Sequence, residues 1–143
     1  MADDIMTDRP SVLFLCVHNA GKSQMAAALM RHLAGDRIEV HSAGTDPGTE
    51  VHDVSAAAIA ELGADMSAQT PQPIDPALFA RVDRVIVLGT EALVTPVPGM
   101  RARIETWVLD EPSARGIEGL DRVRLMRDEI ATRVQDLAAD VLP

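Results

Sequence analysis

Two runs of four apolar residues without a polar interruption, Val12-Leu13-Phe14-Leu15 and Val85-Ile86-Val87-Leu88, constrain this chain more than any other feature. Runs so short and so uniformly apolar suit strands buried on both faces, the kind found in parallel sheets with helices on either side. The segments around them have helical spacing. From Lys22 to about Ala34, Met25, Leu29 and Leu33 are predicted to share one helical face, and Gly35 stands where the helix would stop. Ile38-Glu39-Val40-His41 reads as a second strand and residues 53–62 as a second helix ending at Gly63. Asp75-Pro76 supplies the N-cap and first residue of a short helix through Arg81. A fourth strand is expected over residues 104–109. The last helix carries Val123, Met126, Ile130, Val134, Leu137 and Val141 as an apolar stripe. Strands alternating with helices imply right-handed crossovers: an α/β domain of three layers, with a four-stranded, mostly parallel sheet flanked by helices.

The length of 143 residues suits one buried core. The expected organisation is a flexible acidic lead over residues 1–10 and a single catalytic domain over residues 11–143. A net charge of −9 argues against nucleic acid or an anionic membrane as the main partner, because both need a basic footprint. No apolar run approaches the roughly 20 residues of a membrane span. Asp3, Asp4 and Asp8 stand where a signal peptide would need a basic end, so a cytoplasmic location is expected. One cysteine excludes an internal disulfide, and the four histidines have no metal-binding spacing, so no metal is expected.

In sheets of this type ligands bind beyond the carboxyl ends of the strands. Cys16 sits at the end of the first strand. The span Cys16-Val17-His18-Asn19-Ala20-Gly21-Lys22-Ser23 holds the only Cys, the only Asn and the only Lys of the chain. A loop between a buried strand and a helix start aims backbone N–H groups at one spot, and the helix dipole adds positive potential there. Gly21 allows close approach of the backbone, Lys22 adds a full charge, and Ser23 offers a hydroxyl to a thiolate or a bound anion. The same field is expected to lower the Cys16 thiol below its ordinary value of about 8.5. A thiolate behind a tetrahedral oxyanion is placed for in-line attack. A lone Cys at a strand end is commonly only a small core hydrophobe; the combination of strand, Cys, five residues, Lys-Ser and helix argues against that meaning here.

The span resembles the anion loop of the low-molecular-weight tyrosine phosphatases and of the arsenate reductases built on the same fold, whose pattern is C-x5-R-S/T. The tract Cys16 to Gly21 followed by Ser23-Gln24-Met25-Ala26 is more similar to the arsenate reductase branch. The likeness extends to Ser42-Ala43-Gly44-Thr45 and to Asp110-Glu111-Pro112, and covers nearly the whole chain after Pro10. One position departs from the pattern: Lys22 replaces the usual Arg, and a compact point charge cannot grip two oxygens as a planar fork does. Lys in this place resembles a subset of thiol-coupled arsenate-transfer enzymes of actinobacteria.

The resemblance implies a low-molecular-weight phosphotyrosine phosphatase-like fold and arsenate as substrate. The anion would be held by the amides of Val17, His18, Asn19, Ala20, Gly21 and Lys22, the Lys22 ammonium and the Ser23 hydroxyl. Cys16 would attack arsenic. Asp110 or Glu111 would protonate the departing oxygen: Glu111 matches the residue before Pro in the family's acid loop, Asp110 has the commoner side chain, and both stay open. Asp110-Glu111-Pro112 also reads as an ordinary turn. Thioredoxin-coupled reductases of this fold use further cysteines in the same chain, and this chain has none. The implied arrangement has no bound cofactor and takes a low-molecular-weight thiol from solution, mycothiol or else glutathione. A glutaredoxin-like reductase (mycoredoxin) would then release arsenite. The alternatives are a tyrosine phosphatase using water in the second half, and a non-catalytic oxyanion-binding module. His18 could shape the loop; His32, His41 and His52 read as surface or hydrogen-bonded residues. Trp107 is expected to pack at the end of the fourth strand, with a wall of the site as the other possibility.

Overall fold

The computed structural model describes residues 9–143, so residues 1–8 of the expected acidic lead lie outside the described residues. Among the described residues four strands form one sheet: β1 (Ser11–Cys16), β2 (Glu39–Gly44), β3 (Arg84–Leu88) and β4 (Ile104–Trp107), in the order β2-β1-β3-β4. Every pairing is parallel, with Cys16 opposite Gly44, Leu15 opposite Val87, and Leu88 opposite Trp107. Among the same residues four α-helices accompany them: α1 (Lys22–Ala34), α2 (Asp53–Ala60), α3 (Pro76–Arg81) and α4 (Gly119–Val141).

The period of two along β1 divides the core. Val12 and Phe14 join a cluster with Met25, Met30, Ile59, Ile130 and Val134 from α1, α2 and α4. Leu13 and Leu15 join Phe79, Val82, Val85 and Val87 on the other face, beside α3. All of β1 is buried, as its uninterrupted apolar run requires. Trp107 packs on Phe14 with ring centroids 5.9 Å apart, and the Arg133 guanidinium lies 5.8 Å from its ring centroid. Arg127 ties α4 to α2 by donating to Ala58 O at 2.8 Å and to Glu61 at 2.6 Å. Among the described residues no helix is long and apolar enough to cross a membrane.

Several boundaries differ from the sequence reading. Leu33 is 43% exposed: α1 is buried on every side from Ser23 to Met30, but its last turn extends past the layer that covers it and only Ala34 there stays buried. β2 runs on to Gly44, where small residues carry little strand signal but pair with β1. β4 stops at Trp107 and α2 at Ala60; Gly63, at φ 84°, lies in the turn that follows α2. The short helix over Pro76–Arg81 forms as expected, with Asp75 accepting from Ala77 N at 2.9 Å.

Candidate active site

β1 stands in the middle of the sheet, with β2 on one side and β3 on the other. The crevice above its carboxyl end is the switch point where ligands bind in such folds, and Cys16 ends β1 there. The loop that follows is built outside-in. The carbonyls of Cys16, Val17, His18 and Ala20 accept from the amides of Thr45, Asp46, Gly48 and His52 at 2.8–3.1 Å, so one short segment after β2 grips almost every acceptor of the loop. Among the described residues, the amides of His18, Ala20, Gly21, Lys22 and Ser23 make no hydrogen bond with protein acceptors. The start of α1 has no side-chain cap and no acidic residue in its first turn. Orphan N–H groups and the positive end of the helix dipole therefore meet at one place, which is what an oxyanion needs.

Asn19 fixes this shape. It lies in the left-handed region at φ 52°, which Asn tolerates better than most residues. It is fully buried, and its own amide donates to Cys16 Sγ at 3.3 Å. Its Nδ2 donates to Ser23 Oγ at 2.7 Å, and its Oδ1 accepts from Gln24 Nε2 at 3.2 Å and from Gln72 N at 3.1 Å. With Asn19 Nδ2 supplying a hydrogen, the Ser23 hydroxyl proton is free to point at Cys16 Sγ, 2.9 Å away. Gly44 permits the close fit, since a Cβ there would sit 2.6 Å from Val17 O and 3.0 Å from Asn19 Cβ. Cys16 is the one free cysteine, buried except toward a cavity of about 410 Å³.

That cavity is lined by Cys16, His18, Gly21 and Lys22 and, from elsewhere in the chain, by His52, Leu88, Glu91 and Arg122. Of the predicted span, Cys16, Val17, His18, Ala20, Gly21 and Lys22 line this cup; Asn19 and Ser23 are buried behind it, where the Asn19 amide and the Ser23 hydroxyl face Cys16 Sγ and not the opening. His18 is anchored by its Nδ1 to Asp46 O at 2.9 Å. Lys22 reaches toward the turn after β3, where a Cβ on Gly89 would lie 3.4 Å from its Nζ and 2.8 Å from Glu91 Oε2. Among the described residues Lys22 forms no ion pair. Sequence reasoning missed Glu91, Arg122, Gln72 and the placement of His52. Each reaches the cup through tertiary packing, and no local pattern marks it. Trp107 lies in a different groove, with Arg84 and Arg133, and does not line the cup.

Asp110 and Glu111 face a smaller cleft beside the cup, with Lys22 and Glu91 opposite. Both are engaged. Asp110 accepts from Arg115 through both oxygens at 2.8 and 2.9 Å, which holds its carboxyl below the usual range. Glu111 accepts from Arg122 at 2.7 and 2.5 Å and from Ser113 Oγ at 2.9 Å, and the Arg122 hydrogen bonds above all push its carboxyl down to about 2. Among the described residues no group of three or more His, Cys, Asp or Glu side chains could hold a metal ion.

The family model for low molecular weight phosphotyrosine protein phosphatase matches residues 11–142. The chain belongs to that family. Among its relatives, an arsenate reductase of Halalkalibacterium halodurans is 36% identical over 89% of this chain and 94% of its own length. A glutaredoxin arsenate reductase of Synechocystis is 31% identical over 91% of this chain and 97% of its own. Among solved structures, a thioredoxin-dependent arsenate reductase of Corynebacterium glutamicum superposes with a TM-score of 0.78 at 32% identity. The match covers 98% of this chain and 65% of that longer one.

Proposed function

We propose that this protein is an arsenate reductase that works by arsenate–thiol transfer. The observation that carries the reading is the placement of Cys16 Sγ at the floor of the cup, with the Ser23 hydroxyl at 2.9 Å, the Asn19 amide at 3.3 Å and uncapped amides of the α1 start around the opening. Arsenate binds the free loop amides and the Lys22 ammonium, and Cys16 attacks arsenic on the side opposite the departing oxygen. The names of the relatives favour arsenate over a phosphotyrosyl side chain. So does the acid loop, whose two carboxylates are both ion-paired.

With one cysteine in 143 residues, the second sulfur comes from outside the chain. A low-molecular-weight thiol, mycothiol foremost and glutathione otherwise, attacks the Cys16 adduct. A glutaredoxin-like protein such as a mycoredoxin then reduces the thiol–arsenate product to arsenite. The expected setting is arsenic detoxification in the cytoplasm. The cavity of about 410 Å³ exceeds the volume of a single tetrahedral anion, so an incoming thiol has room to approach.

The test is arsenite release from purified protein given arsenate and, in turn, mycothiol and glutathione, each with and without its matching reductase, beside Cys16→Ser. Release with one thiol and reductase pair, lost in Cys16→Ser, is the expected result. Hydrolysis of an aryl phosphate that outruns all thiol-dependent arsenate turnover would move the reading to a phosphatase.

A further inference from the structure

The segment that carries Asp110 and Glu111 is locked by two guanidinium forks. Arg115 takes both oxygens of Asp110, and Arg122 takes both oxygens of Glu111 through Nε and Nη2. Glu111 Oε2 also accepts from Ser113 N at 3.2 Å and Ser113 Oγ at 2.9 Å, and the Asp110 amide is tied to Glu129 Oε1 at 2.9 Å. Every partner of the two side chains is a donor to a carboxylate, whereas Glu129 accepts from the Asp110 backbone and only anchors the loop. A proton on either acid would have to displace one of them, and a planar fork is the least easily displaced. The other charges near Glu111 are Glu118 beside Arg122, and Lys22 with Glu91 across the cleft. Arg122 also lines the cavity that holds Cys16, so the lock reaches into the site itself.

We propose that Arg115 and Arg122 determine specificity: by keeping Asp110 and Glu111 as carboxylates, they confine the site to substrates that protonate their own departing oxygen, arsenate above phosphate esters. This rests on the arsenate reading. Monoanionic arsenate carries two hydroxyls. As the Cys16 thiolate forms the S–As bond, one As–O bond breaks and that hydroxyl leaves as water, taking the proton of the other hydroxyl. The adduct is a thioarsenate dianion, arsenic stays pentavalent, and nothing is oxidised. Near neutral pH arsenate is divided between mono- and dianion, so the self-protonating species is abundant. An aryl phosphate is almost wholly dianion there and its departing oxygen carries no proton, so it needs an acid from the protein. General acid catalysis is worth about 10²- to 10⁴-fold, and the forks withhold it.

The experiment compares hydrolysis of para-nitrophenyl phosphate with formation of the Cys16–arsenic adduct, followed by rapid quench and intact mass. The proteins are the parent, Arg122→Lys, Arg122→Gln, Arg115→Gln/Arg122→Gln, and that double variant with Asp110→Asn and Glu111→Gln added. At about pH 5 a carboxyl is protonated about one part in six at its ordinary value but about one in a thousand at 2. The double variant is therefore expected to gain at least about tenfold in aryl phosphate hydrolysis after allowance for solvent screening. The gain is smaller in Arg122→Lys, which keeps the charge and loses the fork, and it disappears when both acids are removed. Adduct formation with arsenate changes far less, and it falls as the pH rises through the second ionisation of arsenate. No gain in either glutamine variant, or a hundredfold loss of arsenate adduct when Asp110→Asn and Glu111→Gln are added to the double variant, overturns the inference. If the parent protein forms no arsenic adduct at all, the arsenate reading fails by itself, and the aryl phosphate arm still decides the role of the forks.

Discussion

The two loops that frame this site are held in opposite ways. The loop after Cys16 is buried at Asn19, Ala20 and Ser23, and it is shaped by backbone carbonyls bonded to residues 45–52 and by the side chain of Asn19. The loop at Asp110 is exposed, and it is shaped by charged side chains, Arg115 and Arg122, against two acids. In the first, each bond lost leaves a buried group unsatisfied, so the geometry is stiff. In the second, water competes for every partner, so each pair contributes little to global stability, although the two forks keep both carboxyls ionised. The contrast separates what must be rigid, the aim of the nucleophile, from what can be adjusted, the protonation of what leaves.

Four expected outcomes can break that comparison. Cys16→Ser abolishes adduct formation and arsenite release while leaving the melting temperature within a few degrees, since a hydroxyl fits where the thiol sat; residual turnover would place the chemistry elsewhere. Asn19→Ala removes three side-chain hydrogen bonds and puts a Cβ without compensating bonds at positive φ, at a cost of about 3 kcal/mol in urea unfolding. Adduct formation collapses with it. A loss under about 1 kcal/mol would show that the cup is no stiffer than the acid loop. Lys22→Ala leaves stability nearly unchanged but weakens arsenate binding about 10- to 100-fold, as expected for one charged hydrogen bond of about 1.5–3 kcal/mol. An effect on kcat with no change in KM would refute a ground-state binding role for it.

The smallest effect concerns acid. Arg122 holds Glu111 at about 2 from an ordinary 4.5, and Arg124 with Arg127 does the same for Glu61. Because the folded value lies below the unfolded one, the stabilisation is complete above about 4.5 and is lost as pH falls through about 2. Both glutamates are exposed enough for solvent and salt to screen the pairs, so the loss is modest and shrinks in about 1 M salt. Urea midpoints from pH 5 to about 2 should fall less steeply in Glu61→Gln and Glu111→Gln than in the parent. Parallel curves would mean that these pairs carry no stability at all.

The part of the molecule that could be read from its sequence is the part whose causes are local. The apolar run of β1, the helical spacing after Lys22 and the Asp75-Pro76 start of α3 each contain their own reason, and all three form. The cup is legible because its rare residues, Cys16, Asn19 and Lys22, fall within one short span. The exposure of Leu33 is not legible because its stripe is correct by angle, and only the packing shows that the last turn of α1 reaches past its cover. The last three residues of β2, Ser42-Ala43-Gly44, have no strand propensity worth reading and are extended because β1 offers them partners. His52, Glu91 and Arg122 come to the cup from three distant stretches, and only the folded chain brings them together. That Asp110 and Glu111 are both ion-paired was equally hidden, since Arg115 and Arg122 are two among many arginines in the sequence.

The order β2-β1-β3-β4 has a consequence for synthesis. Cys16 precedes in the chain both the segment after β2 that shapes its cup and the start of α4 that walls it, and α4 also covers the apolar side of α1. A ribosome therefore releases this sulfur before the groups that enclose it. Until α4 has docked, the growing polypeptide holds the thiol without that wall of its cup.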